Sequence, residues 1–552
     1  MQSPDSPVHR YHDGTKHYFN RFSRSLGYLD WASQPRPFRS YEGAPVQALY
    51  PTPGADSDVY VPGPRSYDSV FGSPRHPQPL TVAAIGDLLR HALGLSAWKQ
   101  AGTSRWSLRV NPSSGNLHPT EAYVVCGPLV GLSEQAGVYH YAVEQHALER
   151  RCALDPRDWA EVAGGSNLVV VVFSSIHWRE SWKYGERAFR YCQHDLGHAL
   201  GAVALSAAML GWRVVPLPSC GHRDVAALVG LDRDEDFVDA EREEPGCALA
   251  LVAGTAPAAI AQGGASLARL VRRGEWFGRA SQLSQDHVQW TFIDDIARAT
   301  ADTGPSVPSA AQAAPAAQGT PPALSREDFR TVALRRRSAV AFDASSSLPA
   351  DTWFAMLARA LPGPGAPWSA LWWTPRIHLV LFVHRVDGVR PGLYLLSREP
   401  AAGGRLRDAM RADLLREAAH ATLPLMCLSA GDCRALARRV SCDQDIASDG
   451  CFSLAMVAEF DASLREHGPS FYRNLYWEAG VIGQVLYLEA EAAGFRATGI
   501  GCYYDDAVHE VLGLEGHAFQ SLYHFTVGVP VEDARLTTEP GYRWEGQARS
   551  NP

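Results

Sequence analysis

The chain has 552 residues, of which 46% are hydrophobic and 20% charged, with a formal net charge of -8. That length exceeds one ordinary core and predicts about two to four domains. A mild negative balance without a Lys/Arg block argues against nucleic acid as a partner, and 10% aromatic content argues against a disordered chain.

The N-terminus, "MQSPDSPVHRYHDGTKHYFN", lacks the basic and apolar regions of a secretory signal, and no run reaches the roughly 18 apolar residues of a membrane span. The expectation is a cytoplasmic protein with no membrane partner. Ten cysteines without CxxC spacing read as reduced thiols, largely in cores. Residues 1–66, rich in aromatics and prolines, are expected to form an extended arm over another surface, because exposed Trp and Phe are otherwise costly. A first domain follows at 67–258. It contains the loop "RVNPSSGNLHPTE", in which Gly115 permits close backbone approach and Ser113, Ser114 and Asn116 add polar groups beside main-chain N–H donors. Such a loop suits a ring edge bearing carbonyl and imide groups; the same residues would also make an ordinary turn. Residues 259–327 read as helical segments and then a flexible Pro/Ala-rich linker, clearest in "DTGPSVPSAAQAAPAAQGTPPA". A second domain spans 328–540 and a tail 541–552.

The chain repeats itself. The segment beginning "RYCQHDLGHALGAVALSAAMLGW" matches the one beginning "RNLYWEAGVIGQVLYLEAEAAGF" without a gap. Gly197 and Gly480, Gly211 and Gly494, and Gly230 and Gly513 are each 283 positions apart, as are Gly185 and Gly468, and Arg190 and Arg473. Upstream, "GVYHY" at Gly137 resembles "GLYLL" at Gly392 at another offset. Each copy carries a helix that is apolar almost all round, which must be buried from several sides. Two such helices can bury each other across a pseudo-twofold axis, a covalent version of an isologous dimer.

In the second copy, "VALRRRSAVAFD" sets Arg335, Arg336, Arg337 and Ser338 at a predicted helix start, where guanidinium groups and free N–H donors bind phosphate. "ATGIGCYYDD" adds a Gly-rich turn after the buried helix. Together with "PSSGN", these motifs resemble the FMN-dependent nitroreductase superfamily. "RVNPSSGNLHPTEAYVV" and "WKYGERAFRYCQHDLGHALG" resemble its SagB/ThcOx-type dehydrogenases, which oxidise thiazoline and oxazoline rings in modified peptides. The resemblance covers roughly 67–255 and, more divergently, 330–535. It implies an α+β fold, with two nitroreductase-like α/β/α domains forming an intramolecular pseudo-dimer. It also implies FMN held by Arg109, Pro112, Ser113, Ser114, Gly115 and Asn116 from one copy, and by Arg335, Arg336, Arg337, Ser338, Gly499, Ile500, Gly501 and Arg535 from the other. The reciprocal set is degraded: "PRHPQPLTVAAIGDLL" lacks Arg-x-Ser, and "GPGAPWSALWWTPR" stands where the second Pro-Ser loop belongs. One FMN per chain is therefore expected. Val340 stands where relatives commonly carry a further arginine.

The family's Lys-Tyr pair falls on Lys183 and Tyr184, at a helix start or loop from which both would reach one cavity. Proton removal would fall to a tyrosinate beside the ammonium or to a desolvated lysine. The bland reading is a surface Lys beside a packed Tyr; the second copy carries Glu466 and His467 at these positions, so the fold does not require the pair. His194 and His198 share a helical face, but their counterparts Trp477 and Val481 are apolar and no third ligand is evident, so no metal is expected. The substrate is expected to be a modified peptide or a small molecule, and pairing of two chains stays open. Two other readings are an NAD(P)H-dependent nitro- or quinone reductase and a flavin-free scaffold of a peptide-modifying complex.

Overall fold

The computed structural model describes residues 6–49, 63–72, 76–163, 168–254, 264–304 and 325–547. The core of the Pro/Ala-rich linker, at 305–324, lies outside the described residues. In the first half a hairpin of β1 (Leu95–Ala101) and β2 (Ser104–Arg109) precedes the sheet strands β3 (Thr120–Cys126), β4 (Gly137–Ala142), β5 (Ala147–Ala153) and β6 (Val169–Ser175). Helices α1 (His177–Tyr184) and α2 (Ala188–Met209) follow, then β7 (Arg213–Pro216) and β8 (Glu244–Val252). The second half opens on α3 (Phe329–Arg335) and supplies β9 (Ile377–Val383), β10 (Gly392–Leu396), β11 (Leu425–Ala430) and β12 (Phe452–Glu459). It continues with α4 (Phe471–Ala492), β13 (Arg496–Ile500), β14 (Phe519–Gly528) and β15 (Thr537–Pro540).

The two sheets share one strand order. In the first it runs β5-β4-β3-β6-β8-β7 and in the second β11-β10-β9-β12-β14-β13, with all these neighbours antiparallel. The alternation "VVVVFSS" and "FSLAMVAE" is apolar on both faces because each sheet is covered on both sides. One apolar core runs between the halves, and each half has a separate outer core against its own sheet. This is the α/β/α layering that the resemblance implies.

Helices α2 and α4 are both 22 residues long and begin and end 283 positions apart. They pack against each other as the repeat predicts. A Cβ built on Gly197 would collide with the Trp477 carbonyl, and one on Gly480 with the carbonyl of His194. These two contacts are images of each other at the same 283 offset, so the crossing is isologous within one chain.

The chain also laces the halves together. Strand β15, from the end of the second half, pairs antiparallel with β1 of the first, Thr537 opposite Gln100. The arm is less extended than expected: Pro7–Gly14 is a helix, started by the Ser6 side chain and a proline in its first turn. It lies across both halves, with the Tyr11 hydroxyl donating to the Glu186 carbonyl and His9 paired to Asp461. Further along, however, Phe22, Tyr28 and Trp31 are 54%, 68% and 67% exposed. The arm packs through its helix and through strand pairs of Tyr41–Glu42 with Arg279–Ala280 and of Val46–Ala48 with Ala147–Glu149, and leaves these three rings largely in solvent. Among the described residues no helix is long and apolar enough to cross a membrane.

Candidate functional site

The "PSSGN" loop runs from β2 towards β3. Gly115, Asn116 and His118 all adopt positive φ, at 59°, 60° and 54°. Such a backbone is strained for the non-glycines and needs fixed partners. It has them: Ser113 Oγ accepts from His118 N at 2.8 Å, Asn116 Nδ2 donates to Ser107 O at 2.8 Å, and Asn116 Oδ1 takes His118 Nε2 at 2.9 Å. The Asn116 amide thus braces the loop from within. From α2, Asp195 accepts from Ser114 N at 3.1 Å and from Ser114 Oγ at 3.2 Å.

Facing this loop across a cavity of about 490 Å³ is the second half. The lining includes Arg109, Pro112, Ser113, Ser114, Gly115 and Asn116 from the first half, and Arg336, Arg337, Ser338, Gly499, Ile500 and Gly501 from the second. Residues more than 220 positions apart in the chain thus share one cleft. Its size falls within the roughly 300–1,000 Å³ of small-molecule sites.

At one end lie the arginines, placed differently from the sequence expectation. The helix ends at Arg335, and Arg336 leaves it with ψ 126°. The motif therefore sits at a helix C-terminus, so free helix N–H donors play no part there. Arg335 stays on the helix surface, paired to Glu327 at 2.8 Å and Glu491 at 2.6 Å, and does not line the cavity. Arg336 turns inward and is buried. Its Nε donates to Val110 O and one terminal nitrogen to Arg109 O, each at 3.0 Å, while its other terminal nitrogen has no partner. Arg337 donates to the carbonyls of Leu334, Arg336 and Ser96. Burial lowers both guanidinium pKa values, and burial with the neighbouring Arg336 charge brings Arg337 to about 9. Among the described residues no carboxylate lies within ion-pair distance of either. Buried cations without a counter-ion, one with an orphaned donor, fit a phosphate. Lys99 and Arg496 line the same region.

The Gly-rich segment "TGIG" is not wholly a turn, because Thr498, Gly499 and Ile500 end β13. It is tied to the arginine motif by Ala339 N donating to Ala497 O, and Gly499 N donates to the Tyr487 hydroxyl at 2.8 Å. A Cβ on Gly499 would collide with the Tyr523 hydroxyl, and one on Gly501 would lie 2.5 Å from the Tyr191 ring. Small residues keep this wall flat and close, as a planar ring requires. Beyond Gly501, Asp505 is held by Arg187 at 2.9 Å and Arg190 at 2.6 Å, which lock the segment to α2.

At the other end is Tyr184, the last residue of α1, whose hydroxyl would lie 2.6 Å from a Cβ on Gly115. Lys183 parts from it: its side chain is exposed, with Nζ 5.3 Å from the Tyr184 ring centroid, and it does not line the cavity. Burial, then the charges of Glu180 and Tyr191, raise the Tyr184 pKa well above 10. Tyr184 is thus a neutral phenol and the tyrosinate reading fails; so does the desolvated lysine, since Lys183 faces water. Arg535 also lies apart, 87% exposed and paired to Asp533 at 2.7 Å. Arg109 is among the lining residues, and its guanidinium donates to the carbonyls of Pro37 and Thr120.

Sequence reasoning missed a buried acid pair. Burial pushes Asp195 up to about 7, and burial plus the Asp195 charge raises Glu180 well above the carboxylate range. Burial thus favours the protonated form of both carboxyls. Asp195 was visible as an acid within an apolar helix, but Glu180 lies 15 residues away on another helix. His194 and His198 are both buried; His194 stacks on Tyr523 at 4.1 Å and His198 meets its hydroxyl at 3.2 Å.

The nitroreductase family pattern matches residues 76–240 and 333–529. A Methanocaldococcus jannaschii protein named as a nitroreductase is 30% identical over 159 residues, which cover 27% of this chain and 75% of that protein. The trifolitoxin-processing protein TfxB of Rhizobium leguminosarum bv. trifolii is 31% identical over 158 residues, covering 26% of this chain and 41% of its own. A solved structure from Anabaena variabilis, described as a nitroreductase, shares the fold over 95% of this chain and 100% of that one, with TM-score 0.68 and 20% identity.

Proposed function

The chain belongs to the nitroreductase family, and from that premise we propose that it is a SagB/ThcOx-like dehydrogenase that oxidises a C–N or C–C bond in a modified peptide or small metabolite. It is an oxidoreductase, and FMN is its cofactor. The observation that carries the reading is the composite cavity, lined by arginines without a carboxylate partner and by the buried carboxyl of Asp195.

Arg336 and Arg337 would hold the phosphate, Ser114 and the main chain around Gly115 the ring edge, and the Gly499–Gly501 wall the ring face. When bound, FMN supplies a two-electron hydride acceptor. The residues of the chain manage the proton. The Ser114 hydroxyl, 3.2 Å from Asp195 Oδ1, is the route by which a proton leaving the substrate reaches the carboxylate. With its pKa near 7, Asp195 exists in both protonation states at neutral pH, as a base must. The neutral Tyr184 hydroxyl donates a hydrogen bond into the cavity and positions the substrate over the Gly115 loop. The TfxB relative is named for the processing of trifolitoxin.

A second reading, reduction of nitro or quinone compounds by NAD(P)H, draws on the name of the Methanocaldococcus relative. Anaerobic stopped-flow separates the two. Flavin bleaching by an azoline-bearing peptide but not by NAD(P)H supports the dehydrogenase; fast bleaching by NAD(P)H with no response to azolines overturns it.

A further inference from the structure

Beside the cavity, three segments remote in sequence bring His17 Nδ1, Cys442 Sγ and Cys502 Sγ within 4.8 Å of one another. We propose that these residues bind a zinc-class divalent cation, tying the N-terminal arm to the wall of the flavin cavity. The proposal stands independently of the substrate reading above.

The donor set and its spacing fit. Tetrahedral zinc takes sulfur at about 2.3 Å and imidazole nitrogen at about 2.0–2.1 Å, which sets ligands of one ion roughly 3.5–4 Å apart. His17 Nδ1 lies 3.7 Å from Cys502 Sγ. Two thiolates and one imidazole select zinc over hard cations such as magnesium or calcium.

Each ligand is also held by its surroundings, as good metal sites require. His17 N donates to Asp505 Oδ2 at 2.8 Å while Asp505 N donates back to His17 O at 3.1 Å. Cys442 and Asp443 take consecutive positive φ values of 54° and 56°, a strained turn for residues other than glycine. Gln444 Nε2 bridges that turn to the Gly-rich segment, donating to Ser441 O and Cys502 O at 2.8 Å each. Asp505 is shared by Arg187 at 2.9 Å and Arg190 at 2.6 Å, which leaves one cation for the two thiolates to offset. Of the ten cysteines, eight are buried; Cys442 and Cys502 alone are partly accessible, as an exchangeable site needs. Three protein ligands leave a fourth position for water or a substrate atom, and Cys502 itself lines the cavity.

The test uses the full-length protein, reduced, stripped with chelator and then equilibrated with zinc alone. One zinc per chain should be retained, and differential alkylation with mass spectrometry should show Cys442 and Cys502 protected by zinc. Cys442→Ser, Cys502→Ser and His17→Ala should each weaken retention roughly 10-fold or more, with circular dichroism confirming that the variants fold. Zinc that fails to bind, or that leaves both thiols as reactive as in the stripped protein, overturns the site. Alkylation mapping on the unmodified chain decides the matter even where a variant does not fold.

Discussion

The two halves carry the same cleft twice and keep it open once. In place of Ile500, Gly501 and Tyr191 of the open cavity, the reciprocal position has Leu217, Pro218 and Asn474, each 283 positions away. Those residues line a remnant of about 10 Å³ against about 490 Å³. Where one copy has the small "PSSGN" loop, the other packs Trp372 and Trp373, whose rings sit 6.0 Å and 6.4 Å from Trp477. Asp195 reaches a loop N–H; its counterpart Glu478 is consumed by Arg398, by Arg376 N at 3.0 Å and by Trp373 Nε1 at 3.2 Å. The single α2–α4 crossing borders both clefts, so what differs between the open and the filled cleft is the loops around these helices.

The largest effect should come from emptying the open cleft of charge. Arg336→Ala with Arg337→Ala removes hydrogen bonds to a charged group at about 1.5–3 kcal/mol each, which amounts to roughly 100-fold or more in FMN affinity. Flavin titration by fluorescence should show one FMN per unmodified chain and a greatly weakened one in the variant. Two equivalents in the unmodified protein would break the comparison.

Next in size is the filled cleft. Trp373 is buried, and Trp373→Ala should cost about 3–5 kcal/mol of stability. Its FMN content should stay at one per chain. Chemical denaturation and flavin absorbance read the two quantities separately, and a second flavin gained in this variant would show that the tryptophans alone closed the site.

Much of this contrast was legible before the fold. Two helices of matching length and glycine spacing announce a close crossing, because only glycine tolerates the collision of Gly197 with the Trp477 carbonyl. The loop and the arginine motif were legible by residue type. What the sequence did not resolve was direction. Among Arg335, Arg336 and Arg337, the choice of inward residue depends on where the helix stops, and helix ends are set by one residue's ψ. Arg335 and Arg535 look equally basic in one dimension, yet nearby carboxylates claim both. The acid pair was hidden for the opposite reason, since Glu180 and Asp195 meet only because α1 folds back on α2.

That pair predicts a smaller, pH-dependent effect. A carboxyl raised to about 7 keeps a proton in the folded state that the unfolded chain releases near pH 4. Stability therefore falls as pH rises between about 4 and 7, by on the order of 4 kcal/mol from Asp195. Asp195→Asn should flatten this slope, read as Tm against pH on flavin-free protein. An unchanged slope would show that Asp195 titrates normally.

The smallest effect separates two adjacent residues. Tyr184 faces Gly115 and the cavity, whereas the Lys183 side chain is in solvent with a ring-face contact at 5.3 Å, an interaction worth about 0.5–1 kcal/mol when exposed. Tyr184→Phe removes the donor and should slow single-turnover flavin reduction by roughly 10²-fold. Lys183→Ala should slow it by no more than about fivefold, the rate equivalent of the lost ring contact. A loss of 10²-fold or more on Lys183→Ala, with flavin retained, would mean that the lysine swings inward during turnover. The proton would then leave through Lys183, and the pseudo-symmetric substitution by Glu466 would be a loss of catalysis rather than of surface charge.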